Sequence, residues 1–223
     1  MIDRPKGQRT PLMSILHRIV AVPRVYDLVQ RASGAQRARQ WLAAVITPLH
    51  GAACVLDLGG GTGIYRDLWA PTATYICLDL DPVKLRGFRT RHRGDVALRG
   101  DATQLPVRSC SMNAVFCAAV SHHIPDAALS ALISEAMRVL TPGGRFVFFD
   151  AVWVPSRPLA RLMWRYDRGS HPRPAATLRA LIEAQGVVEH WQEPAVFHQY
   201  IVVVARKEVD RTGVVDTAVQ VRP

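Results

Sequence analysis

No run of apolar residues in this 223-residue chain approaches the ~18 that a membrane-crossing helix needs. The best stretch, residues 146–154, is interrupted by Asp150. The basic, then apolar N-terminus is broken by His17 and Arg18 and closed by Pro23, which argues against a secretory leader and for a cytoplasmic protein. CxxC pairs are absent. Cys54, Cys77, Cys110 and Cys117 are scattered through or beside apolar segments, so reduced, buried thiols are expected and no zinc site. Acidic residues are in deficit, 18 against 28 basic, for a net charge of +10. Almost all the basic residues are arginine. Such a surface attracts polyanions, but no basic cluster alternates with aromatics as in a nucleic-acid platform. With 49% hydrophobic and 21% charged residues the composition is that of a globular domain, which excludes wholesale disorder.

Residues 1–10 read as a loose tail. Thr10-Pro11 suits a helix start, and Leu12, Ile15, Leu16 and Ile19 then share a face. Pro23 breaks that helix. A second short helix through Tyr26 and a third over residues 35–46 complete a helical cap, so that residues 1–48 form a tail and cap expected over the site edge of the next domain. From residue 49 the pattern changes. Short apolar strands at residues 54–58, 75–78, 113–118 and 145–149 alternate with helical stretches, the clearest being residues 126–140. That alternation predicts an α/β fold with a mostly parallel sheet covered on both faces. A Pro- and Arg-rich insertion, residues 151–175, follows. A helix over residues 175–185 and strands at 187–191 and 200–205 come next, the two strands read as an antiparallel hairpin at one sheet edge. The domain is placed at residues 49–206, and residues 207–223 are read as a mobile tail.

The strongest motif is Val55-Leu56-Asp57-Leu58-Gly59-Gly60-Gly61-Thr62-Gly63. A strand running into glycines lets a ligand approach the backbone closely. A dinucleotide fingerprint started at Gly59 would place Ile64 at its third glycine, which counts against a pyrophosphate site. Asp57 puts a carboxylate before the turn, unfavourable for phosphate and suited to an ammonium group. Asp79 ends the next strand about 20 residues on, the distance at which a carboxylate grips a ribose diol.

Together these residues resemble the class I S-adenosylmethionine-dependent methyltransferases. Gly100-Asp101-Ala102-Thr103-Gln104-Leu105-Pro106, the fourth-strand segment ending Ala118-Ala119-Val120-Ser121-His122-His123, and Leu140-Thr141-Pro142-Gly143-Gly144 are similar to successive segments of that family. The resemblance is closest to its small-molecule, type 11-like branch, which includes quinone and natural-product enzymes. It implies a Rossmann-like, seven-stranded, mostly parallel sheet with helices on both faces and S-adenosylmethionine as cofactor. It assigns the methionine end to Asp57, Gly59, Gly61 and Gly63, and the ribose to Asp79 with Leu80 against the adenine. Asp101 and Ala102 would read the adenine edge, Ala118 and Ala119 would pass beneath the cofactor, and Tyr26 would close over it.

Methyl transfer needs alignment and exclusion of water, and a base only where the acceptor carries a proton. His123, with His122 beside it, lies just past the fourth strand's carboxyl end, where ligands bind in open α/β sheets. Trp153, Trp164, Tyr166 and His171 are candidates for the acceptor wall, with Arg161, Arg165 and Arg168 available to an acidic acceptor. The function expected is methyl transfer to oxygen, carbon or nitrogen of a small aromatic, quinone or natural-product-like compound. The alternatives are an RNA or protein methyltransferase using the basic surface, and a non-catalytic binding module of the same fold.

Overall fold

The computed structural model describes residues 35–157, 160, 161, 164, 171–196 and 198–208. Seven strands form one sheet: β1 Cys54–Leu58, β2 Thr74–Asp79, β3 Val96–Arg99, β4 Met112–Ala118, β5 Leu140–Val152, β6 Val187–Gln192 and β7 Gln199–Arg206. The order is β3-β2-β1-β4-β5-β7-β6. Strands β3 to β5 along that order are parallel, and β7 pairs antiparallel with both β5 and β6. The expected seven-stranded, mostly parallel sheet and its antiparallel hairpin are both present, with β6 at the edge. The strand order reverses between β1 and β4, and that switch point opens a crevice at the carboxyl ends of the strands.

Four helices are described: α1 Ala35–Ile46, α2 Pro82–Arg91, α3 Asp126–Val139 and α4 Ala175–Glu183. Pro82 at the first turn and the Asp81 carboxylate, which accepts from Val83 N at 2.8 Å, start α2. Alternation along the strands divides the core. Leu56, Leu58, Val115, Phe146 and Phe148 face α3 and α4, whose Leu129, Leu132, Ile133, Leu178 and Ile182 cover them. Val55, Tyr75, Phe116, Val147 and Phe149 face the other way, against Ala38, Leu42 and Ile46 of α1 and Leu85 and Phe88 of α2. The described part of the expected cap, α1, is therefore laid on a sheet face; the rest of it, Tyr26 included, lies outside the described residues.

Three local readings are corrected. The strand β3 was missed, because as an edge strand it buries none of its four residues deeply and its apolar signal is weak. The strand read as residues 145–149 is longer, since Leu140 already pairs with Met112 and the Thr141-Pro142-Gly143-Gly144 stretch is accommodated as a bulge. Cys110 is exposed rather than buried, whereas Cys77 and Cys117 are buried and Cys54 half-buried; all four are free thiols. Asn113 has a structural role: its Oδ1 accepts Cys54 N at 2.9 Å, capping the start of β1.

Arg66 fastens the β3 edge. Its guanidinium meets Asp95, just before β3, at 2.6 and 3.1 Å and donates to the carbonyls of Trp69, Ala70 and Ala73. Both side chains are nearly buried, so removing one leaves the other's charge uncompensated. Asp95→Ala is expected to cost about 3 kcal/mol in urea denaturation. A loss below about 0.5 kcal/mol would place the pair among ordinary surface ion pairs.

Candidate active site

At the end of β1 the chain turns sharply, and one carbonyl holds the turn. Gly59 N and Gly60 N both donate to Leu78 O of β2, at 2.7 and 3.2 Å. Gly61 N donates to Asp79 Oδ2 at 3.0 Å. The turn's amides are thus spent within the protein, and the glycines act mainly by what they leave out. A Cβ at Gly60 would lie 2.2 Å from Asp57 Oδ2 and 2.8 Å from Cys77 Sγ. One at Gly59 would strike Val120, and one at Gly63 would enter the Phe88 ring at 2.5 Å. Only at Gly61 is there room: its φ is +59°, and its nearest neighbours would be Lys84 Cδ at 3.6 Å and Asp79 Oδ2 at 3.8 Å. Gly61 is where a ligand can approach the backbone. Gly63 instead seats the turn on α2, and Gly60, not singled out from the sequence, lets Asp57 fold back against it.

Asp57 and Asp79 are both buried. Asp57 accepts from the Tyr75 hydroxyl at 2.6 Å and has no basic partner among the described residues. Burial, opposed by that hydrogen bond and reinforced by the charge of Asp79, raises its pKa to about 7. The same surroundings push the Tyr75 hydroxyl and the Cys77 thiol upward. An ammonium or sulfonium placed here would relieve the strain between two acids. Asp79 also accepts Asp81 N at 2.8 Å, which fixes its carboxylate at the strand end, with Lys84 Nζ 4.0 Å away. Leu80, beside it, is 63% exposed, an apolar surface open to a ring. Gly100 N donates to Asp79 O at 3.3 Å and brings Asp101 and Ala102 to the same rim. Asp101 Oδ1 accepts Thr103 N and Oγ1, both at 2.8 Å, shaping its own loop. Glu135, unanticipated, anchors the following residue by accepting Leu105 N at 2.7 Å.

Across the switch point, β4 ends at Ala118. Ala119 takes a left-handed φ of +56°, costly for a residue with a Cβ, while its N–H donates to Phe149 O at 2.8 Å. A 3₁₀ turn over Ser121–His123 follows. His122 is buried and His123 exposed, their rings 4.0 Å apart between centroids. Asp150, read from the sequence only as an interruption in an apolar run, is wholly buried at the end of β5 and meets His122 Nδ1 at 2.6 Å. Arg173 is a second residue missed. Its buried guanidinium donates to Ser121 O and Ile124 O, both at 2.6 Å, and to Asp126, clamping the turn.

Aromatic rings line the same edge. Trp164 packs edge-on against His122 at 5.8 Å and against His198 at 5.2 Å. Beyond His198 lies Tyr200, which stacks on Phe149 at 5.2 Å and meets Trp41 of α1 at 6.0 Å. The Trp164 Nε1–H is buried without an acceptor among the described residues. His171 N donates to His122 O at 3.0 Å, and Trp153 N to Arg173 O at 2.7 Å, so these two join the wall through their backbones. His198, in the β6–β7 loop, and Tyr200, at the start of β7, belong to it although neither was singled out; a hairpin pattern leaves no signature for what its end faces. Arg161 is exposed, while Tyr166, Arg165 and Arg168 lie outside the described residues. An open cleft of about 1230 Å³ lies at the opposite edge, between Met137, Arg138, Glu183 and Lys207, away from every one of these groups.

Residues 56–148 match the family described as Methyltransferase domain. Over those residues the chain resembles the class I S-adenosylmethionine-dependent methyltransferases. An uncharacterized methyltransferase of Mycobacterium sp. (strain JLS) is 30% identical over 132 residues, 59% of this chain and 51% of that one. The malonyl-[acyl-carrier protein] O-methyltransferase of Methylococcus capsulatus is 34% identical over 142 residues, 59% and 50% of the two chains. The chain therefore spans about half the length of these curated relatives. Among solved structures, geranyl diphosphate C-methyltransferase from Streptomyces coelicolor A3(2), in complex with Mg2+, geranyl diphosphate and S-adenosyl-L-homocysteine, aligns with a TM-score of 0.63. Its sequence identity is 16%, covering 77% of this chain and 81% of that one, which shows the shared fold. Among the described residues no helix is long and apolar enough to cross a membrane, and no group of three or more His, Cys, Asp or Glu could hold a metal ion.

The raised pKa of Asp57 makes stability depend on pH in a defined window. The folded domain holds a proton on Asp57 that the unfolded chain, near pKa 3.8, has lost. Stability therefore falls as pH rises from about 4 to about 7, by up to about 1.4 kcal/mol per pH unit, and is level above. Asp57→Asn removes that contribution. In urea denaturation at pH 5, 6.5 and 8, the parent is expected to lose stability relative to the variant as pH rises. Parallel curves would show that Asp57 ionises as readily folded as unfolded.

Proposed function

We propose that the protein transfers a methyl group from S-adenosylmethionine to a small-molecule acceptor, at an oxygen, carbon or nitrogen of an aromatic, quinone or natural-product-like compound. The observation that carries the reading is the convergence, at one switch point, of the Gly61 opening, the Asp57–Asp79 pair and an aromatic wall beside His122. When bound, S-adenosylmethionine supplies a methyl group already activated on a sulfonium.

The chain's own residues bind, orient and exclude water. Asp79 would accept from the two ribose hydroxyls, with Leu80 and the Asp101–Ala102 loop against the adenine. Asp57 would face the cationic methionine end, where a positive charge offsets the crowding of two acids. Ala118 and Ala119 form the floor after β4. Trp164 supplies a large, stiff apolar surface for a planar acceptor, and its buried N–H, without a partner among the described residues, suits an acceptor atom on the compound that rests there. Where the acceptor carries a proton, the His122–His123 pair would remove it. The relatives act on different compounds by name, a malonyl-[acyl-carrier protein] at oxygen and geranyl diphosphate at carbon, which supports the reaction class and leaves the acceptor to this wall.

Calorimetric titration with S-adenosylhomocysteine tests the reading. Asp79→Ala removes a charge-assisted contact to both hydroxyls and is expected to lower affinity roughly 10- to 100-fold, about 1.5–3 kcal/mol, while the variant stays folded. Unchanged affinity in a folded Asp79→Ala variant would overturn the cofactor assignment.

A further inference from the structure

We propose that β3 is a docking edge for a partner protein: an extended segment in which acidic and apolar residues alternate lies alongside it as an added strand. The surface lies outside the crevice, so the inference goes beyond the function proposed above and does not depend on it. β3 is the last strand on its side of the sheet and pairs only with β2 among the described residues, so its outer row of backbone groups is open to another strand. The charge beside that edge has one sign. Lys84, Arg86, Arg89, Arg91, Arg93 and Arg99 are all exposed. The one acid in residues 82–100 is Asp95, and Arg66 already holds it.

Alternation along β3 puts two chemistries on opposite faces. Ala97 belongs to the core layer that α2 covers, and Leu98 to the layer on the other face. Arg99 therefore shares the face of Ala97, and Val96 that of Leu98. Arg89 is fixed on the first face, since its Nη2 donates to Ala97 O at 3.2 Å, and Arg86 lies one turn before it on the same side of the helix. The second face carries Val96, 48% exposed, beside half-buried Leu98. Short edge strands are commonly guarded by charge, which accounts for the arginines but not for a valine bared on the strand itself. An added strand that alternates meets both: its carboxylates face Arg86, Arg89 and Arg99, and its apolar side chains cover Val96 and Leu98. A nucleic acid would use the arginines alone, and Phe88, the one phenyl ring in residues 82–100, is buried and offers no base a stacking surface. A bilayer holds no partners for the strand's backbone, and a second copy of this edge would set arginine against arginine.

The probe is a fluorescein-labelled octapeptide of alternating glutamate and valine, read by fluorescence anisotropy against the whole chain at about 50 mM NaCl, where exposed charges are less screened than at physiological salt. Run beside it are a peptide of the same composition with its glutamates and valines in two blocks, oligouridylate, and vesicles of phosphatidylglycerol and phosphatidylcholine. The alternating peptide is expected to bind at least about tenfold more tightly than the block peptide, to weaken as salt rises, and to slow hydrogen exchange in residues 95–99. Arg86→Glu is expected to lower its affinity roughly tenfold and Val96→Ser roughly threefold, with the urea midpoint of each variant close to that of the parent. The two peptides compared on the parent decide the matter should a variant fail to fold. Equal binding of the two peptides, no binding of either, or tighter binding of oligouridylate or the vesicles overturns the proposal. So does an affinity that neither substitution changes, or exchange that slows elsewhere and not in residues 95–99.

Discussion

The carbonyl of Leu78 is the fixed point of this molecule. By accepting from both Gly59 and Gly60 it ties the end of β1 to the end of β2, and everything at the switch point is placed relative to that knot. It sets Asp57 and Asp79 at the same rim, and it forces the chain to double back so closely that Gly60 has no space for a Cβ. The open left-handed position at Gly61 follows from the same geometry. A side chain added at Gly60 or Gly63 would act on the site by pushing the turn away from Asp57 or Phe88, without touching a ligand.

Charge works against the average here. The protein is strongly basic, yet the crevice gathers Asp57, Asp79, Asp101 and Asp150. Arginines that come near are spent structurally: Arg66 on Asp95 at the β3 edge, and Arg173 on the turn after β4. The site is thus a local acidic well suited to a cationic ligand. Asp57 and Asp150, both buried, divide the work by their surroundings. Asp57 has one hydroxyl and burial, and its pKa rises; Asp150 has three backbone amides, a hydroxyl and an imidazole.

Much of this could be read from the chain. Apolar strands flanked by glycine and aspartate stand out because a parallel sheet buries both faces. The glycine turn and its acids stood out because their pattern is local: a strand, a turn and an acid. What escaped depends on distance in sequence. Asp150 and His122 are 28 residues apart, and Arg173 reaches carbonyls about 50 residues away that carry no side-chain signature. Edge strand β3 escaped for the opposite reason, since an element that buries little needs little hydrophobic pattern. His198 and Tyr200 were read as part of a hairpin, and nothing in a hairpin pattern says that its loop faces Trp164.

The ligand is expected at the carboxyl edge of the β1–β4 switch point, not in the open cleft between α3, α4 and β7 at the opposite edge. Hydrogen exchange read by mass spectrometry, with and without saturating S-adenosylhomocysteine, tests it most directly. Slower exchange is expected in peptides covering residues 57–64, 78–83, 100–105 and 117–124, with residues 183–188 and 205–208 unchanged. Protection confined to residues 183–188 and 205–208, or none anywhere, would contradict the account.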